Sequence, residues 1–316
     1  MNEETSNKTI PFSHTDFTLF GFPGILTSRY LLAIPFFSVY LLILLGNFLV
    51  IYRIWVESSL QSPMYTLISL LFAVNISCTT AIVPNVLMSL LFGFNGISLT
   101  GCLLQMFYMY TAVMFESNVL LVMALDRYVA ICKPLQYHDI MTRGLLLQLS
   151  IFGVIECSLF ASPIIIVASQ VQYCQSNTIL NFACENMVLL NLGCGDVDRK
   201  HIVGLMVRII VTMIDITILL VSYSKILYTA LQIITGKARN KTLHTCGTHL
   251  SVVILNYSCG LLSSISYRLD ISVDIQNLTS AIYYLFPALI HPVIYGFRMK
   301  EIKASLLKSW RIKQST

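Results

Sequence analysis

The sequence predicts an all-α membrane protein, a bundle of seven transmembrane helices with an extracellular N-terminus and a short amphipathic helix after the seventh. Three observations predict it. Of 316 residues, 56% are hydrophobic and only 11% charged, less than half the roughly 25% charge of a soluble domain. Seven apolar stretches, near 30–55, 65–91, 102–125, 145–168, 202–230, 246–267 and 278–297, approach the ~20 residues that cross a bilayer. With the N-terminus outside, 14 of the 20 Lys and Arg residues fall on the cytoplasmic side, against four acids, Glu57, Asp126, Asp139 and Glu301. That asymmetry satisfies the positive-inside rule. The composition excludes a soluble helical protein.

The N-terminal segment, residues 1–29, has no apolar core in MNEETSNKTIPF, so no cleavable signal peptide is expected and the first helix directs insertion. Asn7-Lys8-Thr9 is an extracellular glycosylation sequon, which assigns a glycan to Asn7. Asn75-Ile76-Ser77 and Asn256-Tyr257-Ser258 match the pattern inside helices, Asn240-Lys241-Thr242 is cytoplasmic, and Asn277 lies close to the membrane.

The membrane-spanning body covers 30–297. Its apolar stretches are apolar on most faces, which suits lipid contact better than an amphipathic surface. Pro84, Pro287 and Pro292 interrupt the second and seventh, as a membrane tolerates when neighbouring helices satisfy the freed carbonyls. The third stretch ends in Asp126-Arg127-Tyr128, a charge pair that is costly there unless something uses it. Nothing repeats at a fixed period, contrary to a transporter built from inverted repeats.

Nine cysteines leave at least one free. Cys102, at the start of helix three, and Cys174, Cys184 and Cys194, in one outer loop of about thirty residues, are on the oxidising side, and a loop this long suits a tethered lid. Three pairings are open on spacing alone. Cys78, Cys132, Cys157, Cys246 and Cys259 are expected to pack as small hydrophobes. His244, Cys246 and His249 have a faint metal-ligand look without a fourth ligand, so no metal is expected. In the tail, 298–316, Met299, Ile302, Leu306 and Trp310 share a helical face with basic residues opposite, which suits a helix lying on membrane lipid at the inner leaflet. The tail has no cysteine to carry an S-palmitoyl anchor.

Gly46-Asn47, Pro63-Met64-Tyr65, MALDRYVAICKPLQY at 123–137, Ser222-Tyr223, KTLHTCGTHLSVV at 241–253 and Pro292-Val293-Ile294-Tyr295-Gly296 resemble the motifs of odorant receptors within the rhodopsin-like G-protein-coupled receptors. The resemblance runs from Arg29 onward. Glu116 in FESNVLLVMALDRY and Asp215 in MIDITILLVSY resemble the fish-type, or class I, branch. It implies a multi-pass plasma-membrane receptor for a small-molecule odorant, coupled to a heterotrimeric G protein of the stimulatory or olfactory type that raises cyclic AMP. It also implies the pairs Cys102–Cys184 and Cys174–Cys194, and roles in coupling for Asp126, Arg127, Tyr128, Tyr223 and Tyr295. In that scheme Asp126 holds Arg127 at rest and releases it when helix six swings out. A non-olfactory chemosensor of the same family and, from another class, a membrane transporter are the alternatives; no enzyme activity and no nucleic-acid partner are expected.

Two positions depart from the family pattern. Asn75 stands where Asp is usual in helix two, and His291 where Asn precedes the helix-seven proline. With Glu116 they form the intramembrane polar cluster in which related receptors hold sodium. Losing one of two negative charges weakens such a site, and sodium stays an open alternative; no other cofactor is expected. Glu116, Asn75 and His291 are expected to join in a hydrogen-bonded network.

A ligand site in a helix bundle is an apolar cavity with a few placed polar groups. Helix seven has no lysine for a retinal Schiff base, and Cys102 to Phe115 has no carboxylate for an amine. Arg208 in helix five and Arg268 ending helix six, with Ser264 one turn before Arg268, make the polar candidates. Either arginine has a structural alternative: Arg208 snorkels to the interface or pairs with an acid such as Glu185, and Arg268 pairs with Asp270 or Asp274. Met106, Met109, Tyr110, Val113 and Met114, with Asn256, Tyr257 and Leu261, are expected as the wall. Two arginines beside an apolar cavity point to an anionic or strongly accepting ligand group, a carboxylic acid in the first instance.

Overall fold

The computed structural model describes residues 13–25, 28–233 and 236–314. Among them, seven helices are long and apolar enough to span a bilayer: α1 (Ala33–Val56), α2 (Pro63–Phe92), α3 (Leu99–Cys132), α4 (Arg143–Ser169), α5 (Asp198–Ile233), α6 (Gly236–Ser266) and α7 (Val273–Arg298), followed by α8 (Lys300–Gln314). Asn7 and its sequon lie outside the described residues.

The chain starts and stops these helices by local chemistry. The Ser98, Thr142 and Ser272 hydroxyls accept from the backbone N–H groups of Gly101, Leu145 and Ile275, capping α3, α4 and α7. Pro63 opens α2 where its missing N–H costs nothing. Gly93 ends that helix at φ 69°, a conformation glycine adopts without strain.

Helices run past the apolar stretches where polar residues find partners. α3 continues to Cys132, so Asp126-Arg127-Tyr128 lies within the helix and not after it. Asp126 is fully buried and bonded on both carboxylate oxygens, so its charge does not end the helix. α6 begins ten residues before its apolar stretch, at Gly236, and stops at Ser266. Arg268 therefore sits just beyond the helix rather than in its last turn.

The membrane-facing surface is apolar; Leu42, Leu45 and Phe48 of α1 are all exposed. Inside, one core fills the inner half of the bundle around Leu71, Leu120 and Val252, and a second the outer half around Ile43, Val83 and Tyr284. A third joins the outer end of α3 to the loop above it, through Phe17, Cys102, Tyr173 and Leu189.

That loop is built as a lid. Cys102 is joined to Cys184 and Cys174 to Cys194, with Cα atoms 5.5 and 5.8 Å apart. A three-stranded sheet, which the helical reading does not anticipate, adds a second tie. β1 (Asp16–Leu19) is its centre, antiparallel to β2 (Gly96–Ser98) and parallel to β3 (Thr178–Ile179). The N-terminal segment is thus woven between two outer loops. Gly24 N–H donates to Asp274 at 3.1 Å, fastening it to α7 as well.

At the other end, Met299, Ile302 and Leu306 pack onto the inner core, and Arg53 holds the Ser305 hydroxyl and carbonyl at 3.0 and 2.9 Å. The apolar face expected on lipid is turned instead toward the bundle along its first two turns, because the short link after Arg298 brings α8 back against α1. The side chain of Trp310 lies outside the described residues.

Candidate functional site

Beneath the lid, a cavity of about 560 Å³ opens between α3, α5, α6 and α7, within the size range of small-molecule sites. Tyr110, Val113 and Met114 line it from α3, Asn256, Tyr257, Leu261 and Ser264 from α6, and Arg208 from α5, with Arg268 beside them. Leu261 does so from the edge, 62% exposed toward the membrane side. Met106 and Met109 do not line it. Both are completely buried outside the cavity, Met106 under the lid with Cys102, and Met109 against α2 and α7. Residues 106, 109, 110 and 113 share one face of α3 at helical spacing; their neighbours separate them, Met106 lying a turn closer to the lid and Met109 at the edge of that face.

Neither arginine has a carboxylate within ion-pair distance among the described residues. Arg208 turns inward, donating to Gly260 O at 3.0 Å with its guanidinium carbon 5.4 Å from the Tyr283 ring centroid, a cation–π distance. Arg268 donates to Ser264 O at 2.7 Å, and Asp274, one candidate partner, is taken by Gly24. Burial, then the field of Arg208, push the Arg268 guanidinium below its ordinary range. The two guanidinium charges line the same cavity. The Ser264 hydroxyl donates to Gly260 O at 2.8 Å, so its proton stays with its own helix and it faces a ligand as an acceptor.

The cavity also holds acids. Glu185, in the lid, accepts from Tyr110 Oη at 3.0 Å and from Tyr284 Oη at 2.7 Å. Burial pushes its carboxyl above the ordinary carboxylate range, while both tyrosines and then Arg208 pull it back. Asp215 accepts from Tyr257 Oη at 2.8 Å. Sequence reasoning treated Glu185 as a loop acid and gave the lid no lining residue. The signal was available: Glu185 and Asn186 directly follow Cys184, and a cysteine bridged to helix three carries its neighbours over the bundle mouth.

The floor of the cavity is the polar network. Asn75 Nδ2 donates to Asn47 Oδ1 at 3.1 Å and meets His291 Nδ1 at 3.3 Å. His291 Nε2 meets Asn256 Oδ1 at 3.0 Å, and Asn256 Nδ2 donates to Glu116 at 2.8 Å. These contacts close if neutral His291 carries its proton on Nε2. The structure thus brings Asn75, Glu116 and His291 together, and adds Asn47 and Asn256. Asn256 is shared between ligand wall and network. Asn277 is buried, donating to Leu180 O and Val273 O and accepting from Phe182 N, which leaves its amide no room for a glycan.

At the cytoplasmic end Arg127 Nε donates to Asp126 at 2.9 Å and its Nη2 joins the same oxygen. Tyr137 Oη donates to the other carboxylate oxygen at 2.7 Å, a partner the motif contains but whose part only the fold reveals. Lys225 Nζ lies 6.0 Å over the Tyr128 ring. Tyr223 hydrogen-bonds His249, while Tyr295 Oη and His249 Nε2 are buried without a hydrogen-bond partner among the described residues. Buried polar atoms left without a partner are costly. No cluster of three or more His, Cys, Asp or Glu side chains able to hold a metal occurs among the described residues.

Comparison with known proteins places this geometry. The family model for olfactory receptors matches residues 36–313. Olfactory receptor 52K2 of Homo sapiens is 32% identical over 96% of this chain and 97% of its own. Olfactory receptor 52P1 of Homo sapiens is 31% identical, covering 96% of each chain. Olfactory receptor 51E2 of Mus musculus is 31% identical over 95% of each.

Proposed function

The chain belongs to the olfactory receptor family, multi-pass G-protein-coupled receptors of the plasma membrane in the fish-type, class I branch, and from that premise we propose that it detects a small organic acid in the outer cavity. The carboxylate, or another strongly accepting group, bonds Arg268 at the mouth while the apolar body rests on Val113, Met114, Tyr257 and Leu261. The observation that carries this reading is Arg268 itself. It has no acid partner among the described residues, and Arg208 adds to its field. A bidentate carboxylate neutralises that charge and fixes its own orientation. Ser264 contributes its backbone carbonyl to hold Arg268 in place, rather than a second donor to the ligand.

Ligand binding biases a two-state element. Asn256 is shared by the cavity wall and the polar network, so a ligand that moves α6 loads Glu116 and His291. At the far end of α6, His249 holds Tyr223. Displacement there frees Arg127 from Asp126 for the G protein, of the stimulatory or olfactory type, and cyclic AMP rises. The test is a panel of straight-chain acids, esters, amines and alcohols on reporter cells with and without the stimulatory α subunit. Acids should lead the panel, and deleting the α subunit should silence them. Amines leading the panel would overturn the ligand class.

A further inference from the structure

We infer that Glu185 and Asn186 form a second polar subsite in the cavity, one that binds a neutral hydroxyl group of the ligand. This rests on the reading that the cavity holds the activating ligand, but not on the identity of the group at Arg268.

The lid presents more acceptors to the cavity than donors. Asn186 is only 6% exposed, lines the cavity, and its Oδ1 is buried without a hydrogen-bond partner among the described residues. Glu185, 8% exposed, lines it too. A carboxylate offers about four lone-pair sites, and the protein supplies two donors, Tyr110 and Tyr284. Among the described residues no further donor reaches them: Tyr110 gives its single proton to Glu185, and Arg208 places an N–H on Gly260 O and bonds neither lid side chain. Buried acceptors of this kind are completed by a partner from outside the chain. A hydroxyl suits them because it donates without bringing a second positive charge close to Arg208.

The subsite is held rigidly. Cys184 is bridged to Cys102 and its N–H donates to Gln105 at 3.1 Å, the Asn186 N–H donates to Tyr110 Oη at 2.9 Å, and Asn186 opens the helical turn Asn186–Leu190. Opposite, a Cβ on Gly204 would come within 2.8 Å of Asn186 Nδ2. Glycine there keeps the amide where it is.

The test uses straight-chain carboxylic acids of four to ten carbons, their ω-hydroxy derivatives, and the methyl esters of both. Binding to the purified full-length receptor is read as a thermal-stability titration, independent of signalling. At one or more chain lengths the hydroxylated compound should bind about tenfold more tightly than its parent, as a well-satisfied buried hydrogen bond allows. Asn186→Leu and Glu185→Gln should each cut that preference below about threefold, and Gly204→Ala should cut it by moving the amide. Should acids and esters bind alike while the hydroxyl preference stands, the acid reading fails and the subsite survives. Equal binding of hydroxylated and parent compounds at every length would overturn it, with water alone completing the acceptors. So would a preference that persists in both lid variants, or no binding by any compound.

Discussion

The two ends of the bundle treat arginine in opposite ways. Arg127, at the cytoplasmic end, is locked on a buried Asp126 that Tyr137 also holds. Arg268, at the outer end, bonds a backbone carbonyl and has no carboxylate within reach among the described residues. On the proposed function, the difference separates a switch from a receptor. A charge satisfied by its own chain must be released to act, and its release is the output. A charge left unsatisfied waits for an outside group, and its satisfaction is the input. Between them lies the Asn75–His291–Asn256–Glu116 network, whose members are hydrogen-bonded to one another.

The contrast breaks most completely at the switch. Arg127→Ala should abolish agonist-driven cyclic AMP while surface expression, measured by antibody on intact cells, stays normal. Arg127→Lys should fail largely too, because an ammonium cannot reproduce the planar guanidinium. Next in size is the lid. Losing the Cys102–Cys184 bridge in Cys102→Ser should cost about 2–5 kcal/mol, read as reduced surface expression and a lower melting temperature of the solubilised receptor.

Tyr137→Phe sharpens the comparison from the other side. It leaves one oxygen of buried Asp126 without its donor, worth roughly 1–3 kcal/mol. Agonist-free cyclic AMP should rise as Arg127 loosens; unchanged basal signalling would show that Tyr137 contributes nothing to the lock. The smallest effect belongs to Met109→Leu. This side chain packs in the core away from the cavity, and a volume-conserving swap there is tolerated, so acid potency should not shift. A selective loss of potency would return Met109 to the ligand wall.

The sequence made some of this legible and concealed the rest for physical reasons. Seven long apolar stretches announce themselves because a bilayer demands length, and the resemblance carried by MALDRYVAIC locates the switch. Helix ends were less legible: α3 and α6 extend through polar residues whose partners, such as Tyr137 for Asp126, come from other segments. Met106 and Met109 were expected in the wall with Tyr110 and Val113, yet a helix with neighbours on nearly every side gives no local sign of how far along its face the hollow extends. Glu185 and Asn186 required the disulfide to be placed first. The outer sheet escaped because strands of two to four residues leave no periodicity to read.

The central claim is that Arg268 is the unsatisfied charge the ligand completes. The most direct measurement compares an agonist acid with its methyl ester on the intact receptor and on Arg268→Ala, four dose–response curves in one cyclic AMP assay. The acid should lose about 1 kcal/mol of apparent affinity on the variant, as for a charge pair at a solvent-exposed position, while the ester, already weaker on the intact receptor, should change far less. Equal potency of acid and ester on the intact receptor, or an equal loss of both on Arg268→Ala, would contradict it and leave Arg268 as a residue that only ties off the end of α6.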